Sequence, residues 1–290
     1  MNKEMEQYLC CPSCKSRLNQ HKDMFFCKKC KKKYETCEGI PILIDLKSLP
    51  EHLKEQINYF ERETNERIEY SLAPWQKAYL NKFISNTGKP KGKLILDCGT
   101  GSGYMAIELA KLGAKVIACD LTLRSLISLK KTSQELGLNN VYLVCCTAES
   151  LPFKSNAFDC FISNAVLEHL PREREAIYEI NRVTKNKANL MMTVPLNYRY
   201  LNPLLIPINW LHDKRIGHLR RYDEKKLAEK FKNWTLTLTY YTGHTTKAIK
   251  LLVNIIAKTF DEAKIEEEDE LKQKRKQWAN NIICFFKKKD

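Results

Sequence analysis

A chain of 290 residues that is 43% hydrophobic and 10% aromatic can bury one α/β core with material left for a small appendage, which excludes a disordered chain. No apolar run approaches the roughly 20 residues needed to span a bilayer, and LNPLLIPINWL (201–211) is interrupted by Pro203 and Pro207. The net charge of +15, from 49 basic and 34 acidic residues, permits attraction to phosphate-rich partners, although the basic residues are spread along the whole chain.

The first ten residues, MNKEMEQYLC, hold no apolar stretch of the secretory type. Of the twelve cysteines, Cys98, Cys119, Cys145, Cys146 and Cys160 fall in apolar strand-like runs, where a free thiol behaves as a small core residue. A cytoplasmic location is the expectation. Residues 10–46 form a small unit with Cys11-x-x-Cys14, a twelve-residue spacer and Cys27-x-x-Cys30. Zn²⁺ takes four thiolates in a tetrahedron, and two such turns joined by a hairpin supply them. A segment this short cannot fold on its own core, so the metal would contribute much of its stability. Cys10 offers an alternative register, but Cys-Pro-x-Cys is the better turn, so Cys11, Cys14, Cys27 and Cys30 are the expected ligands. Lys15, Arg17, Lys22, Lys28, Lys29, Lys31, Lys32 and Lys33 face a single acid, Asp23, over the same stretch. Part of that excess offsets the thiolates; the rest is either a grip for a phosphate backbone or a solvated face.

Residues 47–90 are polar, with Ile57, Phe60, Ile68, Tyr70, Trp75, Tyr79 and Phe83 at roughly helical spacing. They predict either a linking pair of helices or a lid. From residue 93 to about 195, strand and helix alternate. KLILDCG is a strand and YMAIELAKLG a helix closed by Gly113. AKVIACD is a strand, followed by a helix over 122–136 that ends at Gly137. VYLVCCT and AFDCFISN are the third and fourth strands, Pro171 opens a helix to Val183, and ANLMMTVP is the fifth strand. Continuous apolar strands alternating with helices mean a parallel, doubly wound α/β sheet whose ligand lies beyond the strand carboxyl ends. NWTLTLTYYTGH and NNIICFFKK supply closing antiparallel strands, and residues 245–277 between them read as a charged, helical, solvated face.

Gly99, Gly101 and Gly103 follow the first of these strands directly. A dinucleotide site would want G-x-G-x-x-G, but Tyr104 stands next, which weakens that reading. D-x-G-x-G-x-G at 97–103, Asp120 closing the second strand, AESLPF at 148–153 and FDCFISNAVLEHL at 158–170 together resemble the class I S-adenosylmethionine-dependent methyltransferases, in their small-molecule and lipid-type subgroup. The resemblance covers about residues 60–240 and implies a Rossmann-like, seven-stranded sheet, with residues 1–46 as a zinc ribbon, 47–92 as helical linker or lid, and 93–290 as the methyltransferase domain. It implies that Asp97, Gly99, Thr100, Gly101 and Gly103 surround the cofactor and that Asp120 accepts from both ribose hydroxyls. Leu121 and Thr122 would flank ribose and adenine. Where the family carries Asp-Ala-Glu, this chain has Thr147-Ala148-Glu149, so the adenine amino group would lose a charged acceptor and be met by the Thr147 hydroxyl, the Ala148 backbone or Glu149 instead. Asn164 would lie near the methyl group.

Glu168 and His169 follow on the same turn, and His169 is either a base or a packing histidine. RIGHLRRYDEKKL (215–227) gathers His218, Arg220, Arg221 and Tyr222 after an aromatic, proline-containing insertion. Similar stretches occur on the acceptor side of this family. They imply an acceptor cap over about 196–222 in which His218, and with it Tyr222, joins His169 and Asn164 as catalytic candidates, while the arginines hold an anion. The alternative is a basic helix start with Asp223 as N-cap. The expected acceptor is a small or lipid-linked molecule. An RNA acceptor gripped by the basic ribbon is the second reading, although Ser163-Asn164-Ala165-Val166 stands where an Asn-Pro-Pro-Tyr type motif would. A non-catalytic scaffold is the third, and the intact glycine loop argues against it.

Overall fold

The computed structural model describes residues 3–45, 48–64, 70–244 and 262–290. After a short helix α1 (Lys3–Glu6), the cysteine unit is a four-stranded antiparallel sheet of β1 (Leu18–His21), β2 (Met24–Cys27), β3 (Lys33–Cys37) and β4 (Ile40–Pro41). Two polar helices follow, α2 (Glu51–Glu63) and α3 (Pro74–Thr87). Ile68, counted above in the helical spacing, lies outside the described residues, as does the part of the expected charged helix before 262.

The central layer alternates as its apolar runs dictate: β5 (Leu94–Cys98), α4 (Tyr104–Lys111), β6 (Lys115–Asp120), α5 (Leu123–Glu135), β7 (Val141–Cys145), β8 (Phe158–Asn164), α6 (Glu173–Val183) and β9 (Thr184–Pro195). The insertion forms α7 (Ile206–Ile216), which the sequence reading did not anticipate. Then come α8 (Glu224–Lys230), β10 (Trp234–Thr242), α9 (Glu262–Leu271) and β11 (Asn281–Lys288). The sheet has seven strands in the order β10-β11-β9-β8-β5-β6-β7; β7, β6, β5, β8 and β9 are parallel, and β11 pairs antiparallel with both β9 and β10. The order reverses at β5, whose neighbours are β6 and β8. The crevice beyond the ends of β5 and β8 is therefore where an open α/β sheet binds its ligand. β5 is buried from end to end, as are Val116 to Cys119 of β6, which explains their unbroken apolar runs.

The cysteine unit is packed onto the free edge of this sheet. Ile42 forms a parallel bridge to Cys145 of β7, and Leu43 N–H donates to the Cys145 carbonyl at 2.8 Å. Leu9 bridges Phe153, and Cys10 N–H donates to Pro152 O at 2.8 Å. Lys15 reaches Glu179 of α6 at 2.7 Å. Met5, Leu9, Phe25, Ile40 and Leu43 join the same apolar core as β5 to β9, so the β7 edge is covered rather than presented to solvent.

Candidate functional site

Three glycines make the turn between β5 and α4 because all three backbones are left-handed, with φ of +73°, +50° and +73° at Gly99, Gly101 and Gly103. Their surroundings differ. A Cβ on Gly99 would fall 2.2 Å from Val166, and one on Gly103 would fall 2.3 Å from Leu129, so these two allow close packing. A Cβ on Gly101 would meet nothing within 4 Å, so this glycine faces open space.

That space is a cavity of about 590 Å³, within the size range of small-molecule sites. Gly99, Gly101 and Ser102 floor it. Asp120, Leu121 and Thr122 come from the end of β6, and Cys146, Thr147 and Ala148 from the turn after β7. Asn164 to Val166, with His169, close the β8 side, and α2 lays Leu53, Ile57 and Phe60 across the opposite wall, with Ile216 and His218 beside them. The Asp120 carboxylate accepts from Gly101 N–H at 2.9 Å and Thr122 N–H at 2.8 Å, which fixes it at the cavity wall. A second cavity of about 450 Å³ shares Gly99, Gly101, Ser102, Asn164 and Ala165 with the first; Trp75, Tyr79, Asp97, Thr100 and Tyr104 line it. Asp97 is buried and accepts from Thr100 Oγ1 at 2.6 Å. Burial pushes its carboxyl up to about 6 against that bond. Asn164 stands between the two spaces, its side chain donating to Tyr104 Oη (3.0 Å) and accepting from Thr193 Oγ1 (2.8 Å). Next to it, Ala165 has φ of +52°, a strained conformation for a residue with a Cβ, at the point where both cavities meet.

Above the first cavity sits a cluster of acids and imidazoles. His218 Nδ1 lies 3.0 Å from Asp213 Oδ1, which makes Nδ1 the protonated nitrogen and leaves Nε2 bare. Nε2 is 3.7 Å from Glu168 Oε1. Glu168 is fully buried, and neither carboxylate oxygen has a hydrogen-bond donor among the described residues. Burial pushes its carboxyl up to about 8. The His169 ring stacks edge-on against His218 with centroids 4.7 Å apart and against Phe60 at 5.7 Å. Burial, then the neighbouring His218, pushes His169 down to about 3.

Several residues expected at the site are elsewhere. Tyr222 is fully buried and lines neither cavity; its hydroxyl donates to Glu173 Oε1 at 2.6 Å, so it packs the insertion onto α6. Glu149 is also buried and away from both cavities, because its carboxylate accepts from Arg172 N–H at 2.6 Å and from the Arg172 Nε at 2.9 Å. Arg221 is locked onto Asp213 through two bonds of 2.5 and 2.8 Å, and Arg220 donates to Leu170 O. Neither arginine lines either cavity. Asp223 caps α8, accepting from Lys226 N–H at 2.9 Å. Gly103 packs against Leu129 and lines neither cavity. Asp213, the hub of this network, and Glu168 received no role in the sequence reading. The i to i+5 spacing of Asp213 and His218 across a glycine turn carried no signal of its own.

In the ribbon, the Cys11, Cys14, Cys27 and Cys30 sulfurs lie within 4.8 Å of one another, with Cys11 to Cys30 at 3.5 Å and Cys14 to Cys27 at 3.4 Å. Four converging thiols suit a tetrahedral, thiophilic ion.

A seven-stranded sheet with this strand order, a glycine turn at its switch point and an acid at the end of the adjacent strand define a Rossmann-like methyltransferase fold. Residues 96–192 match the methyltransferase domain family. The chain is 31% identical over 105 residues to the ubiquinone/menaquinone biosynthesis C-methyltransferase UbiE of Blochmanniella pennsylvanica, covering 35% of this chain and 41% of that one. It is 29% identical over 127 residues to the uncharacterized methyltransferase YcgJ of Bacillus subtilis, covering 44% and 47%. The chain thus spans about half the length of the curated relatives it matches. Among solved structures, geranyl diphosphate C-methyltransferase from Streptomyces coelicolor superposes with a TM-score of 0.62 at 11% identity, over 83% of this chain and 99% of that one. The YcgJ structure gives 0.55 at 20% identity, over 74% and 99%. These likenesses establish the fold.

Proposed function

We propose that the protein transfers a methyl group from S-adenosylmethionine to a small-molecule or lipid-linked acceptor. The observation that carries this reading is Asp120, held by two backbone N–H groups at the wall of a cavity that Gly101 leaves open. Its remaining lone pairs suit a ribose diol, and Leu121, Thr122, Thr147 and Ala148 would flank the nucleoside. Asp97, with Trp75 and Tyr104 around it, suits the cationic amino-acid end. The bound cofactor supplies an activated methyl on a sulfonium, so the residues of the chain orient rather than activate. The apolar wall from α2 and the His169–His218 face would receive the acceptor, with Asn164 at the boundary. The apolar side chains that α2 lays along the cavity support a small acceptor over RNA. Calorimetry with S-adenosylmethionine is the test: Asp120→Ala is expected to lose about 1–3 kcal/mol of binding, the cost of leaving buried hydroxyls unpaired. Tight binding of NAD with none of the methyl donor would sink the reading. Labelled-methyl transfer assayed separately on total RNA and a lipid extract decides the acceptor class.

The same reading divides the chain into a ribbon over 1–46, a helical cover over 47–92 and a methyltransferase domain over 93–290 with its acceptor cap at about 196–222. The ribbon would hold one structural Zn²⁺ on Cys11, Cys14, Cys27 and Cys30. Among the described residues, no helix is long and apolar enough to cross a membrane. The buried thiols of Cys98, Cys119, Cys145, Cys146 and Cys160 support a reducing, cytoplasmic setting.

A further inference from the structure

We propose that Glu168, His169 and His218 form a second metal site, for a divalent transition ion, at the acceptor end of the first cavity. The inference deepens the methyltransferase reading, on which its role toward the acceptor rests, whereas the site itself rests on the side chains alone.

Three observations converge. One ligand atom from each of the three residues lies within 4.8 Å of the other two. Tetrahedral ligands at about 2.1 Å from an ion are about 3.4 Å apart, so the 3.7 Å between His218 Nε2 and Glu168 Oε1 needs only a small closure. Next, the facing atoms repel one another unless something lies between them. His218 gives its Nδ1 hydrogen to Asp213, so Nε2 presents a lone pair toward a carboxylate that has no donor among the described residues. His169 Nδ1 is likewise buried without a partner. The Glu168 carboxylate and His169 Nδ1 are removed from water, with His218 Nε2 beside them at the cavity, and this leaves a large desolvation cost unless a cation or a proton lies among them. Finally, the support is that of a ligating histidine. An imidazole that binds metal through one nitrogen almost always donates its other N–H to a carboxylate, and Asp213 fills that role. Arg221 at 2.5 Å and Tyr198 at 2.5 Å hold Asp213 in turn.

Two imidazoles and one carboxylate suit Zn²⁺, Fe²⁺, Co²⁺ or Mn²⁺ over Ca²⁺ or Mg²⁺. His169 and His218 line the cavity, so further coordination positions would open into it. An acceptor bearing an enol or phenol oxygen could bind there as its anion, with its proton released to solvent.

The test uses the full chain, stripped of metal and reloaded with Co²⁺, whose spectra separate thiolate from nitrogen and oxygen ligands. Wild type is expected to take up about two equivalents, one with the intense thiolate band of the ribbon and one with weaker nitrogen–oxygen ligand-field bands. Glu168→Gln and His218→Ala should each lose the second set while keeping the thiolate band, which also reports that the fold survives. Asp213→Asn should weaken the second ion by about 10–100-fold. A single equivalent with a thiolate-only spectrum would overturn the proposal. So would unchanged uptake in Glu168→Gln. Glu168 would then be a neutral acid donating to His218 Nε2. Calorimetry with S-adenosylmethionine on the same samples shows whether the methyltransferase reading stands or falls separately.

Discussion

Gly101 and Gly103 share a left-handed backbone but should respond to substitution differently. Gly103→Ala forces a methyl into Leu129, so it is expected to lower stability by about 1–3 kcal/mol in denaturant unfolding. Gly101→Ala has room for its methyl, so its stability cost is the left-handed strain of about 1–2 kcal/mol alone. Its larger effect should be on binding of the methyl donor, because the methyl would enter the cavity. Comparable affinity loss in both variants would mean that Gly103 also faces the ligand. Asp97 carries a pH dependence. Its carboxyl lies near 6 when folded and near 3.8 when unfolded, so between these values the native state holds a proton that the unfolded chain has released. The contribution of Asp97 to stability is therefore complete below about 4 and is lost as pH rises through 6. Thermal melts from pH 4 to 7 should show Asp97→Asn with a flatter decline than wild type. An unaltered profile would place the titration on another group. The resemblance made Gly99 and Gly101 legible as cavity residues because they stand in one contiguous motif with Asp97. The directions of Glu149 and Tyr222, which line neither cavity, were not legible because they depend on distant partners, here Arg172 and Glu173.

The insertion is the element whose role changes most. Its basic residues suggested an anion grip, yet Arg221 spends its fork on Asp213, which Tyr198 and His218 also contact. Opposed by burial, those bonds hold the Asp213 carboxyl far below the usual range. Arg221→Lys should therefore reduce stability by about 2–4 kcal/mol, since one ammonium cannot replace two parallel bonds, and should leave the KM for an anionic acceptor unchanged in proportion to folded protein. A raised KM at full stability would restore the grip. Strand and helix periods made β5 to β9 readable from composition, with α6 beginning at Glu173 rather than at Pro171. The α7 helix was hidden by Pro203 and Pro207, which fall at helix starts where proline is tolerated rather than within a helix. Its outer face leaves Ile208, Trp210 and Leu211 exposed, so no apolar stripe marked it.

At the scale of the whole molecule, the paired Cys-x-x-Cys turns were legible from spacing alone. Their place on the sheet edge was not, because edge pairing joins residues about a hundred positions apart. Metal analysis of purified protein should find zinc on the ribbon, and Cys27→Ser should lose that equivalent and lower the melting temperature of the entire chain. A methyltransferase domain that melts unchanged would make the ribbon an independent body. The bridge from Ile42 reaches Cys145, and the next two residues, Cys146 and Thr147, line the first cavity. Zinc on the ribbon and donor in the cavity would therefore share one short backbone segment, and any coupling between them is felt by both to the same factor; if each steadies that segment, each favours the other. Saturating S-adenosylmethionine should slow the rate at which a chelator extracts ribbon zinc, and extraction should weaken the donor's binding. With that coupling, loss of the ion would weaken the enzyme through its donor, with every residue that lines the cavity still in place.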